Sequence, residues 1–135
     1  MLLVVRALLM LAGLVFIVIG GSFLFYPVSQ GSAFGLDAVG AQGLSSLRGD
    51  FTAYFWVTGI ALVAGAWRKS GAVLLVPIAI LGITFLVRAL SLAIDGFYEG
   101  WAVPMAVEAA TVLLALYARH LFGSGTRGLP SDAPI

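Results

Sequence analysis

Apolar residues in this chain come in long blocks, and short polar stretches separate the blocks. A helix needs roughly 20 mostly apolar residues to cross a bilayer. Four blocks come close to that length, and they predict transmembrane helices at about residues 2–26, 51–67, 71–94 and 101–121. We therefore predict an all-α fold, an integral membrane four-helix bundle over residues 1–122. The remaining stretch, residues 123–135, is rich in Gly, Ser and Pro and predicts a flexible cytoplasmic tail.

Composition points to the same class of protein. Hydrophobic residues make up 61% of the chain and charged residues 10%, against about 45–50% and 25% in soluble domains. A net charge of +1 gives no basis for nucleic-acid binding through phosphate contacts. The chain has no cysteine and a single histidine, which argues against disulfides and against a metal site. No cofactor-binding motif is present.

Basic residues predict the orientation of the four spans. They lie near the N-terminus (Arg6), between spans two and three (Arg68 and Lys69) and at the C-terminal end (Arg119, His120 and Arg127). By the positive-inside rule these regions are cytoplasmic, so both termini face the cytoplasm, here of a bacterial inner membrane. The first span is too long for a signal-peptide core, and no A-x-A-like site follows it, so we expect it to be retained.

The segment between spans one and two, residues 27–50, then faces outward and is unusually apolar for a loop. Two interpretations are open. Either the segment folds back over the mouth of the bundle, or it rests on the lipid headgroups as an apolar loop. Within span three, Pro77 predicts a kink that would widen the bundle.

Two charged residues lie inside the spans. Arg88 precedes the outer end of span three by seven residues, and Glu108 follows the outer start of span four by seven. At 1.5 Å per residue each lies about 10 Å below the boundary, so the two residues share one depth. A charge in mid-span is costly alone and usually finds a partner in the bundle interior. We therefore predict an Arg88–Glu108 ion pair.

Further polar residues predict a larger cluster in the outer half of the bundle. Ser91 and Asp95 lie on the same helical face as Arg88. Arg48, Asp50 and Tyr54 lie at the start of span two or just before it, on the same side of the membrane. We therefore expect a cavity or cleft, lined by these groups, that opens outward or sideways into the outer leaflet. The predicted ligand-binding residues are Arg48, Asp50, Tyr54, Arg88, Ser91, Asp95 and Glu108.

The cluster is compatible with several functions. The cluster could bind a small lipophile with a polar end. Alternatively, the protein could act as an accessory subunit of a larger complex through this cluster. The cluster could also lock helix register without further function, support a lipid-modifying enzyme that uses Glu108 or Asp95 as acid or base, or conduct ions. The sequence leans away from catalysis and predicts membrane lipids as neighbours. It leaves open a homo-oligomer or a larger membrane complex.

Two stretches resemble a known family. One is Leu47–Gly59, and the other is Val87–Gly96 followed by Pro104 and Glu108. With Pro27 after span one, they are similar to an uncharacterised bacterial four-helix membrane family catalogued as domain of unknown function 4345. The resemblance reaches to about Tyr117 and implies the fold and the set Arg48, Arg88, Asp95 and Glu108. The family usually has a small residue where this chain has Asp50, and it has no settled activity, so the resemblance implies no reaction.

Overall fold

The computed structural model describes residues 1–124, which fold as helices with no strand among them. The all-α prediction is confirmed. The predicted tail, beyond Gly123 and Ser124, lies outside the described residues. The elements are α1 (Leu2–Phe25), α2 (Pro27–Ala33), α3 (Gly40–Ser46), a π-helical turn (Leu47–Phe51), α4 (Thr52–Arg68), α5 (Leu75–Asp95) and α6 (Ala102–Ser124).

Three of these helices are long and apolar enough to cross a membrane. They are α1 with 24 residues, α5 with 21 and the first 22 residues of α6. Helix α4 has 17 residues and follows the π-helical turn without a break. Large apolar side chains of all four helices point outward, among them Val18, Ile60, Ile83 and Leu113. Such a surface suits a protein surrounded by lipid.

Helices α1 and α4 pack side by side in antiparallel directions, with their backbones nearly touching at Gly13 and Gly59. A Cβ added to Gly13 would lie 2.7 Å from the Gly59 carbonyl oxygen, and one added to Gly59 would lie 2.5 Å from the Gly13 oxygen. Only glycine fits at both positions. Small residues of this kind let membrane helices approach closely, which increases van der Waals contact between them.

Side-chain hydrogen bonds join the same two helices along their length. From α4, Thr52 Oγ1 donates to the Gly20 carbonyl at 3.1 Å, and Trp56 Nε1 donates to the Ile17 carbonyl at 3.0 Å. At the other end, Arg6 Nε of α1 donates to the Ala66 carbonyl at 2.9 Å. That carbonyl belongs to the last turn of α4, where the helix dipole favours a cation. The α1–α4 pair is therefore tied at both ends.

Helices α5 and α6 form the second antiparallel pair. The two pairs meet through contacts of α4 with α5 and of α1 with α6. One buried contact between α4 and the start of α5 places Gly65 against the Leu74 side chain. Helix α5 begins at Leu75, so Pro77 lies in its first turn, where a missing N–H costs nothing. The predicted kink inside this helix is therefore wrong.

The segment between α1 and α4 folds back over one end of the helices. It contains the short helices α2 and α3, and it inserts the Phe34 ring between other aromatic rings. The centroid of Phe34 lies 5.3 Å from that of Phe23 and 6.0 Å from that of Phe55. Of the two interpretations left open by the sequence, the structure supports the one in which this segment covers the mouth.

Apart from Arg88 and Glu108, the charged residues that the structure describes lie at the two ends of the helices. At one end Arg6 reaches the last turn of α4, and the Arg119 side chain lies against Gly71. Arg68 and Lys69 end and follow α4 there. The other end carries the acidic residues Asp37, Asp50, Asp95 and Glu99, together with Arg48. The basic residues thus lie together at one end of the helices, as the orientation predicted by the positive-inside rule requires.

The close approach of α1 and α4 makes a testable prediction. We expect Gly13→Ala to lower the free energy of unfolding by about 1–3 kcal/mol, because the new methyl group meets the Gly59 carbonyl. Gly21→Ala is the matched control, since a Cβ there meets nothing within 4 Å. Both variants gain the same helix propensity. Reversible unfolding in mixed micelles measures the difference, and equal stability of the two variants would contradict the close contact.

Candidate functional site: a cavity with a buried ion pair

A cavity of about 640 Å³ lies between the two helix pairs, towards the acidic end. Its volume falls within the range of about 300–1,000 Å³ that is typical of small-molecule sites. All four long helices contribute to its walls, and Ala33–Gly35 and Tyr98–Gly100 line it from the connections. Most of the wall is apolar; its large apolar side chains are Phe16, Ile19, Phe34, Phe55, Leu81 and Val107.

The ion pair predicted from the sequence lies in this wall. Arg88 Nε of α5 donates to Glu108 Oε1 of α6 at 2.8 Å. The Glu108 side chain is 7% exposed and that of Arg88 32%. The pair forms because the antiparallel helices, joined by a short connection, bring the two residues to the same depth. The Arg88–Glu108 prediction is confirmed.

The second carboxylate oxygen of Glu108 has no partner. Oε2 is buried, and no hydrogen-bond donor in residues 1–124 reaches it. An ionised carboxylate has about four lone-pair positions and can only accept. A buried acceptor left without a donor costs about 1–3 kcal/mol. The cavity wall therefore contains a charged acceptor that this chain leaves unsatisfied.

Tyr54 of α4 supplies a second polar group to the cavity wall. Its hydroxyl donates to Thr84 Oγ1 at 3.0 Å, and Thr84 Oγ1 donates to the Ile80 carbonyl at 2.8 Å. The only hydroxyl proton of Tyr54 is thereby used within the protein. Its oxygen can still accept a hydrogen bond.

Four of the predicted ligand-binding residues lie elsewhere. Ser91 and Asp95 are exposed, and Ser91 Oγ donates to Asp95 Oδ2 at 2.8 Å. Arg48 and Asp50 are exposed on the π-helical turn, and within residues 1–124 neither side chain takes part in a side-chain hydrogen bond or an ion pair. The structure thus brings together Tyr54, Arg88 and Glu108, but not the other four.

Helix geometry explains why these two pairs of residues lie away from the cavity. Asp95 lies on the same face as Arg88 but two turns, about 10 Å, further along α5, and it does not line the cavity. Arg48 and Asp50 precede α4 in a π-helical turn, which has more residues per turn than an α-helix. Counting with the α-helical period therefore predicts the wrong helix face for residues in and before this turn.

The other lining residues were not among the predicted ligand-binding residues, and three of those with large or charged side chains are Phe34, Tyr98 and Glu99. All three lie in connections, where helical periodicity gives no direction for a side chain. The apolar character of the segment between α1 and α4 was the one available signal for Phe34. Residues 1–124 contain no group of three or more His, Cys, Asp or Glu side chains that could hold a metal ion.

Comparisons with protein-family models, with curated proteins and with solved structures found no match to this chain. The resemblance noted from the sequence therefore stays a prediction. Any function must be argued from the cavity and its residues. The wall of the cavity is mostly apolar, and it contains the Arg88–Glu108 ion pair with one carboxylate oxygen that no donor in residues 1–124 reaches. Glu99 and the hydroxyl-bearing side chains of Tyr54 and Tyr98 also line it.

The unequal burial of the two charges makes a prediction about stability. Arg88→Leu leaves the buried Glu108 without its cation, and we expect the free energy of unfolding to fall by about 3–5 kcal/mol. Glu108→Leu leaves Arg88, which is a third exposed, and we expect less than half of that loss. The double variant should return to within about 1 kcal/mol of the wild type.

Unfolding in mixed micelles tests this cycle, with Ser91→Ala as the control outside the cavity. Losses of the two single variants that add up in the double variant would show that Arg88 and Glu108 do not act as a pair.

Proposed function

We propose that this protein is a four-span integral membrane protein of a bacterial inner membrane that holds a small lipophile in its central cavity. The argument for a fourth span is the packing of α4. Its contacts with α1 run from Ala66 to Thr52, so a membrane crossed by α1 is crossed by α4 as well. Residues 47–68 reach roughly 30 Å, which is about the thickness of the hydrocarbon core.

The orientation rests on the two charged ends. Arg6, Arg68, Lys69 and Arg119 gather at one end of the helices, and the positive-inside rule favours the cytoplasm for that end. Both termini are then cytoplasmic. The cavity, the α2–α3 segment and the Tyr98–Gly100 connection belong to the outer half of the membrane.

The observation that carries the binding proposal is the unpaired, buried Oε2 of Glu108 in the wall of an apolar cavity. A ligand with one polar end and an apolar body fits both features. The polar end lies at Glu108 and Arg88, and the body lies against Phe16, Phe55 and Leu81. Ala33–Gly35 and Tyr98–Gly100 enclose the outer side.

The second candidate function is purely structural, a lock that holds α5 and α6 in a fixed register. The Arg88–Glu108 hydrogen bond itself favours it. An ion pair between α5 and α6 fixes their register whatever the cavity contains. The two candidates differ in what they require of Glu108. A lock needs only Oε1, whereas ligand binding also uses Oε2.

Topology can be tested with single cysteines, since the chain has none of its own. In intact cells, we expect a membrane-impermeant thiol reagent to label Asp37→Cys and Glu99→Cys but not Lys69→Cys. Permeabilised cells should give labelling of all three. Labelling of Asp37→Cys and Lys69→Cys from the same side would show that α4 does not cross, and would leave three spans.

Native mass spectrometry of protein released gently from its own membrane tests ligand binding. We expect the wild type to carry a defined small mass that Glu108→Gln loses, because the amide removes the charged acceptor from the cavity wall. Asp95→Asn is the matched control, as it makes the same chemical change outside the cavity, and it should keep the mass. If all three forms carry only bulk phospholipid, the binding proposal fails and the structural lock is favoured.

A further inference from the structure

We infer that the ligand is a neutral lipophile whose polar end is a hydroxyl group, and that this hydroxyl donates to Glu108 Oε2. The inference rests on the proposed binding function and names the chemical class of the ligand. Three properties of the cavity carry it: its charge balance, the hydrogen-bonding character of its polar groups, and its apolar walls.

Charge balance comes first. Arg88 and Glu108 neutralise each other at the depth of the ion pair, and Glu99, in the connection between α5 and α6, adds a negative charge to the cavity lining. A carboxylate or phosphate would lie beside the negative Oε2 and would be repelled by both acidic residues. An ammonium group would be attracted to Oε2, but it would also lie close to the Arg88 guanidinium, which repels it, and it would carry a charge into an apolar region at membrane depth. A neutral ligand meets neither penalty.

No donor in residues 1–124 reaches Oε2. Arg88 Nε donates to Oε1, and the Tyr54 hydroxyl proton is used by Thr84. A ligand in the cavity can supply the missing donor. An ether, an ester or a ketone has none, and would leave Oε2 as unsatisfied as before.

A hydroxyl supplies the donor and has a further use at this site. Its oxygen can also accept a hydrogen bond, and the Arg88 guanidinium has five N–H donors, of which the one at Nε is directed to Glu108. One hydroxyl group can thus bridge both members of the ion pair.

The remaining wall of the cavity determines the chemical character of the rest of the ligand. Phe16, Phe55, Leu81 and Val107 offer only hydrocarbon to an occupant. Apolar walls of this kind hold a ligand by excluding its hydrocarbon surface from polar surroundings and by close packing. Only one end of the ligand can therefore be polar. A fatty or isoprenoid alcohol has this distribution of groups.

The test compares four probes that share one chain: dodecan-1-ol, its methyl ether, dodecanoate and dodecylamine. Each is added to the full-length protein in phosphatidylcholine nanodiscs, and occupancy is read by native mass spectrometry at matched loading. We expect dodecan-1-ol to bind at least about tenfold more tightly than the methyl ether, because only the alcohol satisfies Oε2. Dodecanoate and dodecylamine should bind more weakly than the alcohol.

The Glu108→Gln variant changes the preference in a defined way. The carbonyl of the new side-chain amide can accept from Arg88 Nε, and the NH₂ group of that amide then takes the place of Oε2. The alcohol should lose its advantage over the methyl ether, and dodecanoate should gain, because the charge of Arg88 is no longer neutralised. Asp95→Asn should keep the wild-type order of the four probes, since Asp95 lies outside the cavity.

The outcomes separate this inference from the proposed function. Tightest binding of dodecanoate or dodecylamine to the wild type would overturn the hydroxyl assignment and leave lipophile binding intact. Equal binding of the alcohol and the ether would do the same. If no probe binds above the level seen with Glu108→Gln, the hydroxyl assignment also fails, and the mass found on protein from its own membrane then decides whether the proposed function fails with it.

Discussion

The contact between Gly13 and Gly59 determines how the rest of the molecule can pack. It brings the α1 and α4 backbones so close that a single methyl group would not fit between them. The hydrogen bonds from Thr52 and Trp56 to α1 carbonyls lie along the same close interface, and the short Thr52 side chain reaches the Gly20 carbonyl because the two backbones are so near. Because lipid offers no hydrophobic drive for helix association, such contacts supply much of the attraction.

The second pair of helices is held differently, and the cavity is the consequence. Arg88 and Glu108 supply a charged hydrogen bond between α5 and α6, in place of a close backbone contact. Larger side chains separate the two pairs from each other, and Tyr54 spans the gap to α5 through Thr84. A tight pair facing a looser one cannot fill all of the space between them. Ala33, Phe34 and Gly35, from the end of α2 and the connection after it, line that space at the acidic end of the helices.

Hydrophobic blocks and charge positions were enough to predict the helices and the Arg88–Glu108 pair, because span length and equal depth depend only on counting residues along regular helices. The same counting failed at Arg48 and Asp50, where the π-helical turn Leu47–Phe51 changes the number of residues per turn. Helical periodicity could not predict Phe34 or Tyr98 as lining residues, because tertiary contacts determine where side chains in connections lie. Prediction thus succeeded where the helix is regular and ended where it is interrupted.

The geometry of the ion pair argues for more than a fixed helix register. A pair that served stability alone would gain from a two-pronged contact, in which the guanidinium satisfies both carboxylate oxygens. Here Arg88 engages Glu108 through Nε and one oxygen, and the other oxygen is buried without a donor. In a membrane interior that arrangement is costly, because water is scarce and apolar neighbours cannot compensate. A molecule with its own donor in the adjacent cavity would recover this cost, which is the reason for placing Glu108 at the centre of the proposed binding function.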